Sequence, residues 1–291
     1  MYAILTLLLI ASPQTAPHDK AFWREIVKAR FEVPAGETAA RLAPELAGLL
    51  SSPDPELRDD LALTILTSWI YDRKLLGPEG LRPLVHTLQA NLRVGIATPG
   101  NDEVFRRSFS ALTLSVVAAR DNVTPFLTPD EYASLLDAAL AYLRDEQDTR
   151  GFDARKGWVH TAAHTADLLK FLARNPRLRS VDQSRLLTAV LDKQRSVTAP
   201  LAQGEDERLA RVAISIVRRD DFDREGFRAW LTRAQAAAAF PNPPAVDALI
   251  AHQNVRHLLS ALWAELTADE RPSEGADFAR TLLRETIKKL F

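Results

Sequence analysis

Every second apolar segment of this chain has the same design: it opens polar and then turns almost wholly apolar. Leu57-Arg58-Asp59-Asp60 leads into Leu61-Ala-Leu-Thr-Ile-Leu66, and Arg106-Arg107-Ser108 into Ala111-Leu-Thr-Leu-Ser-Val-Val117. Gly204-Glu-Asp-Glu-Arg208 leads into Leu209-Ala-Arg-Val-Ala-Ile-Ser-Ile-Val217, and Gln253-Asn-Val-Arg-His257 into Leu258-Leu-Ser-Ala-Leu-Trp263. A helix that is apolar all round is buried. No stretch reads as a strand. The pattern predicts helices over 19–31, 37–50, 55–71, 79–93, 102–119, 129–147, 158–173, 181–195, 205–218, 224–239, 244–265 with a break near Asn254, and 274–290.

Start signals support these spans. Asp54-Pro55-Glu56 supplies an N-cap, a proline at the first helical position and an acidic first turn. Thr128-Pro129-Asp130-Glu131 and Ser180-Val-Asp-Gln183 read as capping boxes, and Asn242-Pro243 as a further start. Thr198-Ala-Pro-Leu-Ala-Gln-Gly204 is a loop. Connections are short, so neighbouring helices pair antiparallel. The buried helices recur roughly every 46 to 52 residues, at or just above the upper end of the HEAT or armadillo period. The expected fold is all-α, a HEAT/armadillo-like array of antiparallel helix pairs, curved or closed and right-handed, forming one domain over 17–291.

The densest chemistry lies in the helix expected from Trp158. His160 and His164 are four residues apart and Asp167 follows three later. At about 100° per residue, the three share one face. Two imidazoles so spaced can bind one divalent metal such as zinc, with Asp167 as third ligand or as orienting group. The competing reading is a buried polar cluster without metal. His-Glu-x-x-His is absent, so the common zinc-protease motif is not present. Ala162, Ala163 and Ala166 leave room for a neighbouring helix.

If the buried helices stack in parallel, their polar first turns form one concave strip. That strip would hold Arg58, Asp59, Asp60, Arg107, Ser108, Trp158, His160, His164, Asp167, Glu205, Asp206, Arg208, Asn254 and His257. Helix N-termini add free N–H groups and partial positive charge. Each arginine–acid pair could equally be a salt bridge that fixes stacking.

Composition narrows the classes. The 291 residues carry a net charge of −1, so the basic surplus of a dedicated nucleic-acid binder is missing. Local arginines, among them Arg106, Arg107, Arg218 and Arg219, are the sole support for that class. Cysteine is absent, which excludes disulfides, thiolate ligands and a cysteine nucleophile. Tyr2 to Ala11 is an apolar run too short to span a bilayer, followed by Ser12-Pro-Gln-Thr-Ala16. It reads as a signal peptide over 1–16, giving a periplasmic or secreted mature chain with no membrane span. No Lys or Arg precedes the run and Pro17 suits cleavage poorly, so the alternative is a buried N-terminal helix in a cytoplasmic protein.

Five stretches carry a resemblance: Ser108-Phe-Ser-Ala-Leu, Arg150-Gly-Phe, Gly157-Trp-Val-His-Thr-Ala-Ala-His-Thr-Ala-Asp-Leu-Leu169, Gly204-Glu-Asp-Glu-Arg-Leu-Ala210 and Asn254-Val-Arg-His-Leu-Leu259. From about Arg58 to Trp263, in order, the chain resembles an uncharacterised bacterial family, domain of unknown function 2785. The resemblance implies an all-helical fold and brings no activity, substrate or cofactor.

Two functions follow. One is a helical-repeat protein whose polar concave pocket binds a polar ligand or peptide. The other is a metal-assisted hydrolase, with metal on His160 and His164 and with Glu205 or Asp206 as general base. A Ser-His-Asp hydrolase lacks its Gly-x-Ser-x-Gly elbow. For the export reading, mass spectrometry of native protein should find a chain lacking residues 1 to about 16; an intact Met1 end would refute it.

Overall fold

The computed structural model describes residues 18–290 except 99, 241, 244 and 272. The apolar N-terminal run lies outside the described residues. Twelve helices occur among those described. They are α1 (Lys20–Lys28), α2 (Ala39–Leu49), α3, α4 (Pro78–Asn91), α5 (Glu103–Val123), α6 (Pro129–Asp145), α7 (Thr161–Ala173), α8 (Ser180–Ser196), α9 (Glu205–Val217), α10 (Arg224–Ala237), α11 (Val246–Ala268) and α12 (Glu274–Leu290). Helix α3 runs continuously through a π-helical piece (Glu56–Leu63), an α-helical piece (Thr64–Thr67) and a second π-helical piece (Ser68–Asp72). The fold is therefore all-α apart from a two-residue antiparallel ladder, β1 (Phe152–Asp153) with β2 (Gly157–Trp158).

Most expected starts hold for the expected reason. Thr128 and Glu131 form a capping box, the Thr128 hydroxyl accepting from the Glu131 amide at 3.1 Å and the Glu131 carboxylate from the Thr128 amide at 2.7 Å. The Asp54 carboxylate accepts from the Glu56 amide at 3.0 Å. Three expectations change. The box at Ser180 does not form, because Gln183 reaches away from it to bond Asp221 O and the Asp223 amide. Helix α11 starts at Val246 and passes through Asn254 without a break. Helix α7 starts at Thr161, three residues later than Trp158, because the preceding chain is drawn into the β ladder.

Helices α3, α5, α7, α9 and α11 are each packed on the next, and α6, α8, α10 and α12 form a second row over them. Ser108, near the start of α5, reaches the start of α7, while Asn122, near its end, bonds Phe171 O near the end of α7 at 2.9 Å. These two helices therefore run parallel. Ala162, Ala163 and Ala166 are all buried, as close approach of α5 and α9 to α7 requires. The core between the rows is aliphatic, with Leu114, Leu168, Leu169, Leu209, Leu258 and Leu262 fully buried.

One charged pair is buried within this core. Arg107 and Glu146 are 0% and 2% exposed at their side chains, with Nε to Oε2 at 2.5 Å and Nη2 to Oε1 at 3.1 Å. Arg107 also donates to Val94 O at 2.9 Å. Arg107→Ala should destabilise the fold by roughly 3–5 kcal/mol, because it strands a buried carboxylate. Replacing both partners by leucine should recover most of that loss. Denaturant titration checks both, and a single variant within ~1 kcal/mol of the parent would refute the assignment.

Candidate functional site

The segment between α6 and α7, residues 146–160, is irregular yet largely covered, so its backbone groups need partners. Lys193 donates to Glu146 O at 2.5 Å, and burial pushes its amine down to about 8. Thr161 Oγ1 donates to Asp148 O at 2.5 Å, and Arg58 Nη2 to Lys156 O at 2.7 Å. Ser108 Oγ donates to Val159 O. Gly157 has φ +77°, a conformation that favours glycine. A Cβ at Gly151 would lie 1.7 Å from Gln203 Oε1 and would displace that side chain from the Phe152 amide it accepts from.

These anchors place the histidine pair. His160 is not inside the helix. It caps α7 in the left-handed region, φ 46° and ψ 40°. Its carbonyl still accepts from the His164 amide at 2.8 Å, which preserves the four-residue stacking. The rings meet edge to face with centroids 5.7 Å apart. His160 Nε2 lies 3.1 Å from Gln203 O, an acceptor only, so Nε2 carries the proton and Nδ1 is a lone pair.

The same logic fixes His164. Ser108 spends its one hydrogen on Val159 O, so its oxygen accepts from His164 Nδ1–H at 2.8 Å. His164 Nε2 is then a lone pair with no partner among the described residues. Both rings are buried. Burial lowers the pKa of His160 against the opposing charge of Glu205. Burial, reinforced by His160 and Arg208, holds His164 well below its usual range. Both are therefore neutral near pH 7. The polarity also excludes a Ser108–His164 nucleophile: the serine is fully buried and its proton points away from the imidazole.

A cavity of about 500 Å³ opens over the pair. Trp158, 43% exposed, stacks on His160 at 4.1 Å and meets Phe152 edge to face at 4.9 Å. Asp59 and Leu63 of α3, Phe109 and Leu112 of α5, and Glu207, Arg208 and Arg211 of α9 complete the walls with Gln203 and Gly204. Burial raises the Asp59 pKa against the neighbouring Arg58.

The predicted strip is only partly assembled here. Trp158, His160, His164 and Arg208 converge, with Asp59 rather than Asp60. Asp60 is exposed and does not line the cavity. Arg58 and Arg107 are fully buried and bind backbone carbonyls and carboxylates of the fold. Asn254 is buried under the loop before α9, where its side chain accepts from the Leu201 amide at 3.0 Å. Asp206 and His257 do not line the cavity.

The three-ligand metal arrangement on His160, His164 and Asp167 is not formed. Asp167 is held by Arg208 and Lys170, each at 2.8 Å. Among the described residues no three His, Asp or Glu side chains cluster as metal ligands. Glu205 lies behind His160, its Oε1 3.8 Å from Nε2, with Oε2 accepting from the Gln203 amide at 2.8 Å. Phe109, Leu112, Gln203 and Arg211 were missed from the sequence. Phe109 and Leu112 stand in the Ser108-Phe-Ser-Ala-Leu stretch, and Gln203 stands next to Gly204, so each was adjacent to a residue already singled out.

The fold and the cavity define an all-helical protein with an imidazole- and aromatic-lined pocket between its inner helices. The chain belongs to the family described as protein of unknown function DUF2785, whose profile matches residues 92–264. The match begins after α3, so the Arg58 and Asp59 side of the cavity lies outside it. No curated protein and no solved structure matches the chain.

The depressed histidines make stability depend on pH with a definite sign. Below about pH 6.5 the unfolded chain binds protons that the folded chain refuses, so stability falls as pH falls. Between pH 7.5 and 5.5 the melting temperature should drop, and His164→Gln should flatten that drop. Equal slopes in both proteins would show that His164 is protonated in the fold.

Proposed function

We propose that the cavity over His160 and His164 binds a small polar ligand that offers hydrogen-bond donors and a flat face. One observation carries the reading: two neutral imidazoles each keep a lone pair without a partner among the described residues, beneath an exposed tryptophan. His160 Nδ1, His164 Nε2 and Asp59 accept, Arg208 and Arg211 donate, and Trp158 gives a stacking surface. A few polar groups in a partly apolar cavity of this size suit a small molecule or a short peptide end. Water alone would satisfy the lone pairs but leave the indole face exposed.

The hydrolase reading has less support. Asp167 is committed to two cations, Glu205 accepts from the Gln203 amide, and Asp206 does not line the cavity, so neither the third ligand nor either expected general base is well placed.

Trp158 is the exposed tryptophan of five, which gives its fluorescence a direct readout. Titration with glucose, adenosine and N-acetyl amino-acid amides should give a saturable change with at least one of them. Calorimetry should show Trp158→Ala weakening that probe by roughly 0.5–1.5 kcal/mol, the scale of one aromatic stack. If no probe binds, or if the variant binds as well as the parent, the proposal fails. A separate titration with Zn²⁺ alone discriminates the second reading: a higher melting temperature in the parent, absent from His160→Ala and His164→Ala, would favour metal over an organic ligand.

A further inference from the structure

A second cavity, of about 610 Å³, lies at the opposite ends of the inner helices. Arg174 follows α7, Arg218 and Arg219 follow α9, and Arg271 follows α11; all four line it. Helix C-termini attract cations, which accounts for part of this set. Arg219 is fully engaged: Nη1 donates to Ala173 O and Asn175 O, each at 2.8 Å, and the rest of the fork binds Asp221 and Leu178 O. Arg218 and Arg271 share one carboxylate, Asp269, which also binds the Arg271 amide.

Arg174 is different. Its Nε donates to Ser215 Oγ at 3.0 Å, and Ser215 in turn donates to Arg211 O at 2.8 Å. The guanidinium also sits over the Phe171 ring, 5.3 Å from its centroid. Among the described residues its two terminal nitrogens have no hydrogen-bond partner, and no carboxylate forms an ion pair with it. Burial by surrounding atoms and the nearby Arg271 charge depress its pKa against the attraction of Asp167, although much of the side chain is open to solvent. A cation with no direct ion pair, held in place near a second cation, is stabilised by an anion between them. Asp220 also lines the cavity, but it is exposed and unpaired, so water screens it.

We propose that this groove binds a phosphoryl group, free or on a small phosphomonoester, with Arg174 supplying the fork and Arg271 the opposing charge. Two adjacent N–H donors of a guanidinium match two oxygens of a tetrahedral oxyanion, whereas a single ammonium would not. The site is independent of the histidine cavity.

The test is the full chain titrated with inorganic phosphate and, separately, with phosphoserine, against sodium chloride at matched ionic strength. Phosphate should raise the melting temperature saturably while chloride does not. Arg174 is on the surface, so Arg174→Gln should keep the parent circular dichroism spectrum; isothermal titration should show it binding phosphate roughly 10- to 100-fold more weakly, the loss of charge-assisted hydrogen bonds. Tighter binding of phosphoserine than of phosphate would assign an esterified ligand, and the reverse a free one. No saturable response to either, or equal affinity in Arg174→Gln, overturns the proposal. Should the Gln variant unfold, Ser215→Ala, which releases Nε and gives up the Ser215 bond to Arg211 O, replaces it: unchanged phosphate affinity there overturns the proposal, and weaker binding upholds it.

Discussion

An irregular, partly buried stretch of backbone lies between helices, and its covered carbonyls must find donors. That constraint governs the molecule around residues 146–160. The donors come from four places: Arg58 from α3, Ser108 from α5, Thr161 from α7 and Lys193 from α8. Each reaches in from a different helix, so the segment is held on all sides. Arg107 neutralises Glu146 at its start. These contacts, with the β ladder and the Gln203 carbonyl, fix Trp158 and His160 against His164.

The same contacts set the electrostatics of the pocket. The Arg58 guanidinium lies over Phe105 at 4.1 Å and Phe109 at 4.6 Å, and Phe109 meets His164 edge to face at 5.0 Å. A cation is thereby separated from the imidazole by an aromatic wall. Protonating His164 would place a second charge in that enclosed space, which is why burial keeps it neutral. The serine hydroxyl that anchors Val159 is also the group that sets the His164 tautomer. Backbone pinning and site chemistry therefore meet in one oxygen atom.

The helices were legible because their starts have local causes. Thr128 with Glu131 and Asp54 before α3 act through bonds spanning two or three residues, and a sequence displays such spacings directly. The centre of the site was legible through its four-residue histidine spacing and the adjoining tryptophan. The rest of the strip was not. Arg58 and Arg107 look like ligand-binding arginines in a polar first turn, but their partners are backbone atoms far along the chain, Lys156 O in one case and Val94 O in the other. Choosing Asp59 over Asp60 would have required knowing how the π-helical turn of α3 sets the two side chains. Asp167 lay on the expected face, yet Arg208 and Lys170 took its carboxylate, a competition that spacing alone does not reveal.

His160 sits in a left-handed conformation that glycine or asparagine occupies more cheaply, a strain of order 1 kcal/mol for a bulkier residue. The ring it carries is the one that stacks on Trp158. Selection for heat resistance and selection for an occupied cavity therefore pull position 160 in opposite directions. A library enriched for survival at high temperature would drift toward Gly or Asn there and lose the stack, while one enriched for ligand capture would retain histidine and its strain. What replaces that one side chain under each regime is a record of what the cavity is for.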